Sequence, residues 1–253
     1  MRPTADDDQG SLIMVPAAFI ERLSRGTNSP LMPEYPVVGR GGILNYLSGL
    51  VEKLETGVFG PGRYRELSVF PQQGETASCC VTKGIEVKAS AQWLPSYDHQ
   101  ERLGLNFSNS VQLGLNFSYS VQISRVEEGD GDDSAYEYCQ LLSRHWEFMD
   151  GNGSVHVVDG DAVIGKQPVF FRRGNKPCFK DLGPAGDGVT YSDTVFRYVS
   201  QTGPVAGTSQ DDTKCASVKG SFRFVPGTID NPTGPQFDVF VAKFPLAVSV
   251  PFY

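Results

Sequence analysis

The residues of this 253-residue chain that could bind a metal or form disulfides are few and irregularly spaced. The five cysteines are Cys79, Cys80, Cys139, Cys178 and Cys215, with no CxxC spacing, and the three histidines add no regular ligand pattern. A structural zinc site needs about four ligands at short intervals, and a disulfide framework normally uses an even, dense set of cysteines. The sequence therefore predicts no metal site and no cofactor, and it favours a reducing compartment.

His145 is the histidine whose neighbours are most informative. In a strand, Arg144 and Trp146 share one face and His145 points to the other. Because no serine or cysteine lies in a recognisable nucleophile motif, we predict His145 to be a surface or edge residue and not a general base. Trp146 is predicted to lie in the core, with Arg144 in a salt bridge or cation–π contact; the alternative is a recognition patch with Arg144 exposed.

Two acidic segments resemble ligand-binding loops only superficially. Residues 127–135 contain five carboxylates but lack the twelve-residue frame and the terminal glutamate of a calcium loop, so we predict a solvated acidic loop. Asp150, Gly151, Asn152 and Gly153 predict a tight hairpin turn, because Asn and Gly tolerate positive φ.

Charge and hydropathy exclude several classes of protein. The net charge of −7 argues against docking on nucleic acid or anionic lipid, which clustered Lys and Arg would be needed to bind. No apolar run approaches the roughly 20 residues needed to cross a bilayer. The acids at positions 6–8 are atypical of a secretory or mitochondrial presequence. We expect an intracellular protein, with a cytoplasmic or nuclear location favoured and a mitochondrial one as the alternative.

Residues 1–80 predict a helical and irregular N-terminal extension. Apolar residues recur at helical spacing between positions 43 and 54, and Gly57 is suited to end that helix. A shorter helix is predicted over 16–25, with Pro16 in its first turn. Pro- and Gly-rich pieces interrupt any longer element, so we predict two helices and no self-sufficient domain.

From about Gly84 to Tyr253 the pattern is that of an antiparallel β-sandwich. Short alternating segments are separated by turn residues. The clearest predicted strands cover 85–89, 117–123, 222–225 and 237–241. Residues 103–112 recur almost verbatim as 113–122, with Asn109 replaced by Tyr119. Because ten is an even number, either copy keeps the same side chains on the same face of a strand. We expect one copy to form the strand and the other a loop or extension; the alternative is a hairpin built from both.

The stretch from Cys139 to Pro168 resembles the signature of the ApaG family, a β-sandwich of the fibronectin type III kind. The resemblance covers 84–252 and implies an immunoglobulin- or fibronectin-like fold. The positions that match the central run and the following turn are Gln140, Leu141, Arg144, Trp146, Asp150, Gly153, Gly165, Gln167 and Pro168. Phe117, Tyr119, Phe196, Tyr198, Gly220, Phe222 and Phe237 match the family's strands.

The chain departs from the family pattern in one loop and in three insertions. Ala162 replaces the second glycine of a Gly-x-Gly, and Asp161 would repel an anion, which weakens any proposal of a phosphate-binding nest. The insertions cover 127–135, 175–193 and 226–235. Long loops on a rigid sandwich are where partner specificity tends to lie.

The resemblance implies a noncatalytic protein–protein interaction module, a subunit or adaptor of a larger assembly. Relatives in this family include certain F-box ubiquitin-ligase adaptors and a DNA-polymerase-associated protein, although residues 1–80 lack the Leu-Pro opening of an F-box. The alternative is a binding protein for nucleotide, pyrophosphate or divalent metal, as the names of bacterial relatives imply. We expect the partner to be another protein. The predicted partner-binding residues are Arg144, Gln167, Pro168, Phe170, Phe171, Leu47, Leu50 and Leu54.

Overall fold

A computed structural model describes eleven stretches of the chain. They are residues 12–13, 37–39, 42–60, 68, 70–94, 114–126, 136–173, 176–181, 189–191, 195–208 and 216–247. The predicted helix at 16–25, the first copy of the repeat at 103–112 and the acidic loop at 127–135 lie outside them.

The described residues form one helix and fifteen strands. The helix α1 covers Gly42–Glu55. The strands are β1 Leu12–Ile13, β2 Val37–Gly39, β3 Ala77–Thr82, β4 Ile85–Trp93, β5 Gly114–Leu115, β6 Phe117–Arg125, β7 Tyr138–Met149, β8 Val155–Asp161, β9 Val169–Arg173, β10 Lys176–Asp181, β11 Val189–Tyr191, β12 Phe196–Gln201, β13 Val205–Ala206, β14 Ala216–Pro226 and β15 Phe237–Leu246.

Two antiparallel sheets face each other across one core, which confirms the predicted β-sandwich. The larger sheet has the order β11-β10-β9-β7-β14-β15, and β8 pairs with β7 beside β9; the smaller sheet has the order β12-β6-β4-β3. Rings from the two sheets meet edge to face, because the centroid of Tyr119 in β6 lies 5.8 Å from that of Trp146 in β7. Within the larger sheet, Trp146 also lies 5.5 Å from Phe222 in β14.

Alternation of side chains explains why these segments are strands. In β4, Ile85 and Val87 are fully buried, whereas the intervening Glu86 is half-buried. In β15, Val239 and Val241 lie in the core, while Phe240 is 57% exposed on the outer face. Each strand therefore contributes every second residue to the space between the sheets.

The sheets include more of the chain than the four clearest predicted strands, all of which the structure confirms. β3 pairs with β4, so the smaller sheet already contains residues before Gly84. The insertion at 175–193 contributes β10 and β11, which pair with each other and extend the larger sheet. The second copy of the repeat supplies β5 and most of β6. The division into an N-terminal extension and a sandwich domain stays a prediction.

The helix α1 confirms the prediction over 43–54. Leu47, Val51 and Leu54 remain 45%, 50% and 38% exposed, so part of its apolar stripe is uncovered. Within the part of the chain that the structure describes, no helix has the length and apolar character needed to span a membrane.

Candidate functional site

A groove crosses the outer face of the larger sheet, on the side away from the core. One part has a volume of about 560 Å³ and is lined by Ser143, Arg144, His145, Asp159, Gly160, Asp161, Ser221, Arg223 and Asp238. A second part of about 440 Å³ is lined by Leu142, Ser143, Asp161, Gln167, Arg223, Val225, Ile229, Pro232 and Gln236. The two parts share Ser143, Asp161 and Arg223, so they form one continuous groove.

The strand register aligns the polar side chains of this groove in cross-strand rows. One row runs through Asp161, Ser143, Arg223 and Asp238, from β8 across β7 and β14 to β15. The next row runs in the same direction through Asp159, His145, Ser221 and Phe240. Facing residues in an antiparallel pair lie side by side, so four strands present one mixed surface of charges, hydroxyls and an exposed ring.

Two ion pairs balance part of the charge on this face. The Arg223 guanidinium donates from Nε to Asp238 Oδ1 at 2.9 Å and from Nη2 to Asp238 Oδ2 at 3.2 Å, and this hydrogen bonding raises the pKa of Arg223. Lys219 Nζ lies 3.0 Å from Glu147 Oε2, and its hydrogen bond lowers the pKa of Glu147. The Asp161 carboxylate has no ion pair with any residue that the structure describes.

His145 lies on the outer face, as predicted, between two carboxylates. Its Nδ1 is 2.7 Å from Asp159 Oδ1, and its Nε2 is 3.7 Å from Glu147 Oε1. Ser221 is directly opposite in the register, but no hydrogen bond joins it to His145 among the described residues. A serine nucleophile requires the base within hydrogen-bond reach, whereas the described neighbour of His145 Nε2 is the carboxylate of Glu147. No cluster that could hold a metal ion occurs among the described His, Cys, Asp and Glu side chains.

Arg144 points to the inner face with Trp146, which is 1% exposed and confirms the predicted core position. The guanidinium crosses Gly160, where a Cβ would lie 2.9 Å from it, and Nη1 donates to the carbonyls of Ala162 at 2.8 Å and Asp161 at 3.3 Å. The predicted salt bridge or cation–π contact of Arg144 is not found among the described residues, and its guanidinium donates instead to backbone carbonyls at the end of β8. Arg144 therefore stabilises that end of the strand.

The turn after Met149 stabilises the other end of β8 and confirms the predicted hairpin. Asp150 Oδ1 accepts the backbone N–H groups of Asn152 at 2.9 Å and Ser154 at 2.8 Å. The N–H of Gly151 donates to Ala206 O at 2.9 Å, and a Cβ on Gly151 would overlap the carbonyl oxygen of Gly207. The turn thus packs closely against the segment after β12.

Two glutamines connect the second part of the groove to the sheet. Buried Gln140 donates from Nε2 to Gln167 O at 3.0 Å and accepts at Oε1 from the N–H of Ile229 at 2.8 Å. The side chain of Gln167 donates in turn to Leu142 O at 3.0 Å. These bonds hold together β7, the turn before β9 and the β14–β15 connection, so Gln167 both lines the groove and fixes its floor.

The remaining predicted partner-binding residues differ in accessibility. Phe170 is 1% exposed and packs against Phe179 and Phe224, and Pro168 is also buried, so these two belong to the core and not to a surface. Phe171 and Leu50 are half-buried, and the predicted role of the exposed Leu47 and Leu54 stays untested.

Arg223, Asp238, Asp161 and Ser221 are groove residues that sequence reasoning missed. Their signal is the alternation of polar residues with buried aromatics, as in Ser221-Phe222-Arg223-Phe224. That alternation predicts exposure on one face. It does not predict which strands lie beside each other, and the groove depends on that pairing.

The ApaG domain family model matches residues 106–176. The F-box protein SKIP16 of Arabidopsis thaliana is 29% identical over 202 residues, which make up 77% of this chain and 38% of that protein. Protein ApaG of Anaeromyxobacter dehalogenans is 29% identical over 171 residues, 68% of this chain and 95% of its own. Among solved structures, an ApaA protein from Bordetella pertussis aligns with 65% of this chain and 93% of its own, at 21% identity and a TM-score of 0.39. Over residues 106–176 the chain is therefore similar to the ApaG domain family.

Proposed function

We propose that this ApaG-like domain is a noncatalytic protein-interaction module that acts as a subunit or adaptor of a larger assembly. The observation that carries the proposal is the groove on the outer face of the larger sheet. Its lining combines acids, an arginine, hydroxyls and apolar groups such as Val225 and Ile229. Such a mixture suits the side chains of another protein, because protein interfaces combine apolar contacts with dispersed hydrogen bonds.

The charges in the groove favour a protein partner over a nucleotide. Asp159, Asp161 and Asp238 line the first part, and the guanidinium of Arg223 is already bonded to Asp238. A phosphate group would meet these carboxylates, and the two described arginines of the lining are already hydrogen-bonded, Arg223 to Asp238 and Arg144 to backbone carbonyls, which disfavours anion binding. The His145 side chain lies between carboxylates and has no hydrogen bond to Ser221 among the described contacts, which supports a binding role over a hydrolytic one.

The likeness to the F-box protein SKIP16 supports the finer part of the proposal. We propose that the partner of this domain belongs to an assembly of the ubiquitin-ligase type. The match covers 38% of that relative, so the parts of SKIP16 outside the matched region do not enter this proposal.

Site-specific photo-crosslinking tests the proposal. We expect benzoylphenylalanine placed at Ser221, in the groove, to yield adducts with one or a few proteins in the cells from which the chain comes. The matched control position is Val199, which is 52% exposed on the outer face of the smaller sheet. The Arg223→Glu variant should reduce the adducts at Ser221, because it reverses a charge on the groove floor.

The identity of the crosslinked proteins tests the proposal that the partner belongs to a ubiquitin-ligase-type assembly. Ubiquitin-ligase subunits or their targets among the adducts would support it, whereas other proteins would support only a general protein-binding role. Equal adducts from Ser221 and Val199, or none from Ser221, would contradict a role of the groove in protein binding.

A further inference from the structure

The strand β8 is an open edge of the larger sheet. It pairs with β7 on one side, and no described residue forms a backbone ladder with its other side. The N–H of Asp150 donates to Ser154 O at 2.9 Å, and the N–H of Ala162 donates to Leu142 O at 2.7 Å. Hydrogen-bonded pairs alternate along an antiparallel ladder, so Val155, Val157 and Asp159 direct their backbone N–H and C=O groups away from β7.

This edge lacks the lysines, prolines and bulges that often block strand addition. Proteins protect open edges with lysine, proline or a bulge, and the sequence of β8, VHVVDGD, contains neither lysine nor proline. Its register with β7 is regular over seven consecutive pairs. The edge of β15 differs, because it lies against β3 and the N–H of Phe240 donates to Thr82 Oγ1 at 3.3 Å.

The outward side chains of β8 divide into an apolar half and an acidic half. Val155 is 57% exposed and Val157 49% exposed, whereas Asp159 and Asp161 follow on the same face, towards the groove. A strand added beside this edge would contact both halves. An added strand that complements this edge would have one or two apolar residues next to the valines and one or two lysines or arginines next to the aspartates.

A second copy of this chain is a poor occupant of the edge. In a symmetric antiparallel pair centred on β8, the valine half of one copy lies against the aspartate half of the other. That arrangement places carboxylates beside apolar side chains and leaves both without a matching contact. Charge complementarity therefore favours a different protein with a basic segment.

We infer that β8 binds an extended peptide segment of a partner protein as an additional strand, with basic residues beside Asp159 and Asp161 and apolar residues beside Val155 and Val157. The main chain of the partner supplies hydrogen bonds, and the alternating side chains supply specificity. This inference rests on the proposed protein-binding function and specifies where along the groove the partner enters.

Peptide selection on the whole chain tests the inference. The probe is a phage library of random twelve-residue peptides, panned against the immobilised protein. We expect the enriched peptides to alternate in the pattern described and to carry Lys or Arg at one end. Enrichment of acidic peptides, or no enrichment, would overturn the inference.

The variant Val157→Pro removes one outward N–H and leaves the ladder with β7 intact. Proline is tolerated at an edge strand when its nitrogen faces solvent. We expect the enriched peptides to bind this variant about tenfold more weakly, while the matched control Val157→Ile, which keeps the N–H, binds within about twofold. Unchanged thermal unfolding of Val157→Pro shows that it folds.

The variant Asp161→Asn provides a measurement that does not depend on backbone changes. We expect a loss of affinity of roughly threefold and a weaker dependence of affinity on salt, because one exposed charge pair is removed. Peptides that bind Val157→Pro and Asp161→Asn as tightly as the unmodified chain would overturn strand addition. In that case, crosslinks from Ser221 would still support the protein-binding function, so the two failures are distinguishable.

Discussion

Close packing against a neighbouring strand constrains the identity of Gly220. It lies in β14 beside a register shift, and a Cβ there would overlap the carbonyl oxygen of His145 and approach Trp146 Cε3 to 2.8 Å. We expect Gly220→Ala to lower the free energy of unfolding by roughly 1–3 kcal/mol, since neither backbone nor buried indole can move freely. Urea denaturation measures the change.

The matched control for this prediction is Gly203→Ala. Gly203 is exposed, and nothing lies within 4 Å of its added Cβ. We expect Gly203→Ala to change the free energy of unfolding by less than about 0.5 kcal/mol. Equal effects at the two positions would contradict the steric explanation of Gly220.

Ala162 has a strained backbone that glycine would relieve. Its φ is 61°, in the left-handed region, where an L-residue with a Cβ is disfavoured by about 1–2 kcal/mol. Part of the stability gained by relieving this strain is offset, because glycine makes the unfolded chain more flexible. We therefore predict that Ala162→Gly raises the free energy of unfolding by about 0.5–1 kcal/mol, measured by urea denaturation. The same change at Ala242, within β15, should instead be destabilising, and stabilisation at both positions would refute the argument.

The sequence predicted the positions of single residues well where alternation along one strand determines whether a side chain faces the core or the solvent. The core position of Trp146 and the outer position of His145 follow from alternation within one strand. The partners of Arg144 could not be predicted, because the guanidinium reaches two carbonyls at the end of β8, those of Asp161 and Ala162, across a glycine on the neighbouring strand. That contact depends on strand pairing, which one sequence does not specify.

Gln140 links three elements through both ends of its amide. Replacement by leucine would leave the N–H of Ile229 and the carbonyl of Gln167, both in partly buried hydrogen bonds, without this partner. We predict that Gln140→Leu costs about 2 kcal/mol of stability and accelerates hydrogen exchange at the Ile229 amide. Gln201→Leu, at an exposed position on β12, should change neither quantity. Unchanged exchange at Ile229 in Gln140→Leu would contradict the linking role.

The clearest strands were easier to predict than the full set of segments that belong to the two sheets. The four clearest segments follow from period-two alternation, and each lies in a sheet. The choice between the two copies of the ten-residue repeat could not be made from alternation, because both copies present the same side chains to the same face. β10 and β11 lie in a segment that the sequence indicated as a long loop, because the residues between the two short strands are rich in Gly and Pro.

The whole molecule should lose stability at alkaline pH because it buries a thiol and a phenol. Burial raises the pKa of Cys139 from 9.0 to about 12, and burial also raises the pKa of Tyr198. Between pH 9 and 12 the unfolded chain has lost the Cys139 proton and the folded chain has kept it. The free energy of unfolding therefore falls as the pH rises, by about 1.4 kcal/mol per unit from this group.

Urea denaturation at a series of pH values tests this prediction. The contribution of Cys139 should be fully present below pH 9.0 and absent from the Cys139→Val variant. Tyr198→Phe should remove the further fall in the free energy of unfolding that begins above pH 10.0. A Cys139→Val variant that keeps the full alkaline slope would show that the thiol is not protected by the fold.

At the scale of the whole molecule, the sequence predicted the sandwich but not the groove. The sandwich follows from many short amphipathic segments. The groove requires Ser143 and Asp161, on the consecutive strands β7 and β8, to lie beside Arg223 and Asp238, on the consecutive strands β14 and β15, although the two pairs of strands are far apart along the chain. Only the order of those strands in the sheet brings them together.

The two fixed ends of β8 determine how a partner would bind there. The turn at Asp150 and the guanidinium of Arg144 hold the strand before any ligand arrives. Such a template is preorganised, so the loss of conformational entropy on association falls almost entirely on the incoming peptide. The affinity should then depend chiefly on how extended the free partner segment already is, and a segment stiffened by proline where its nitrogen faces away from β8 would bind better than a flexible one.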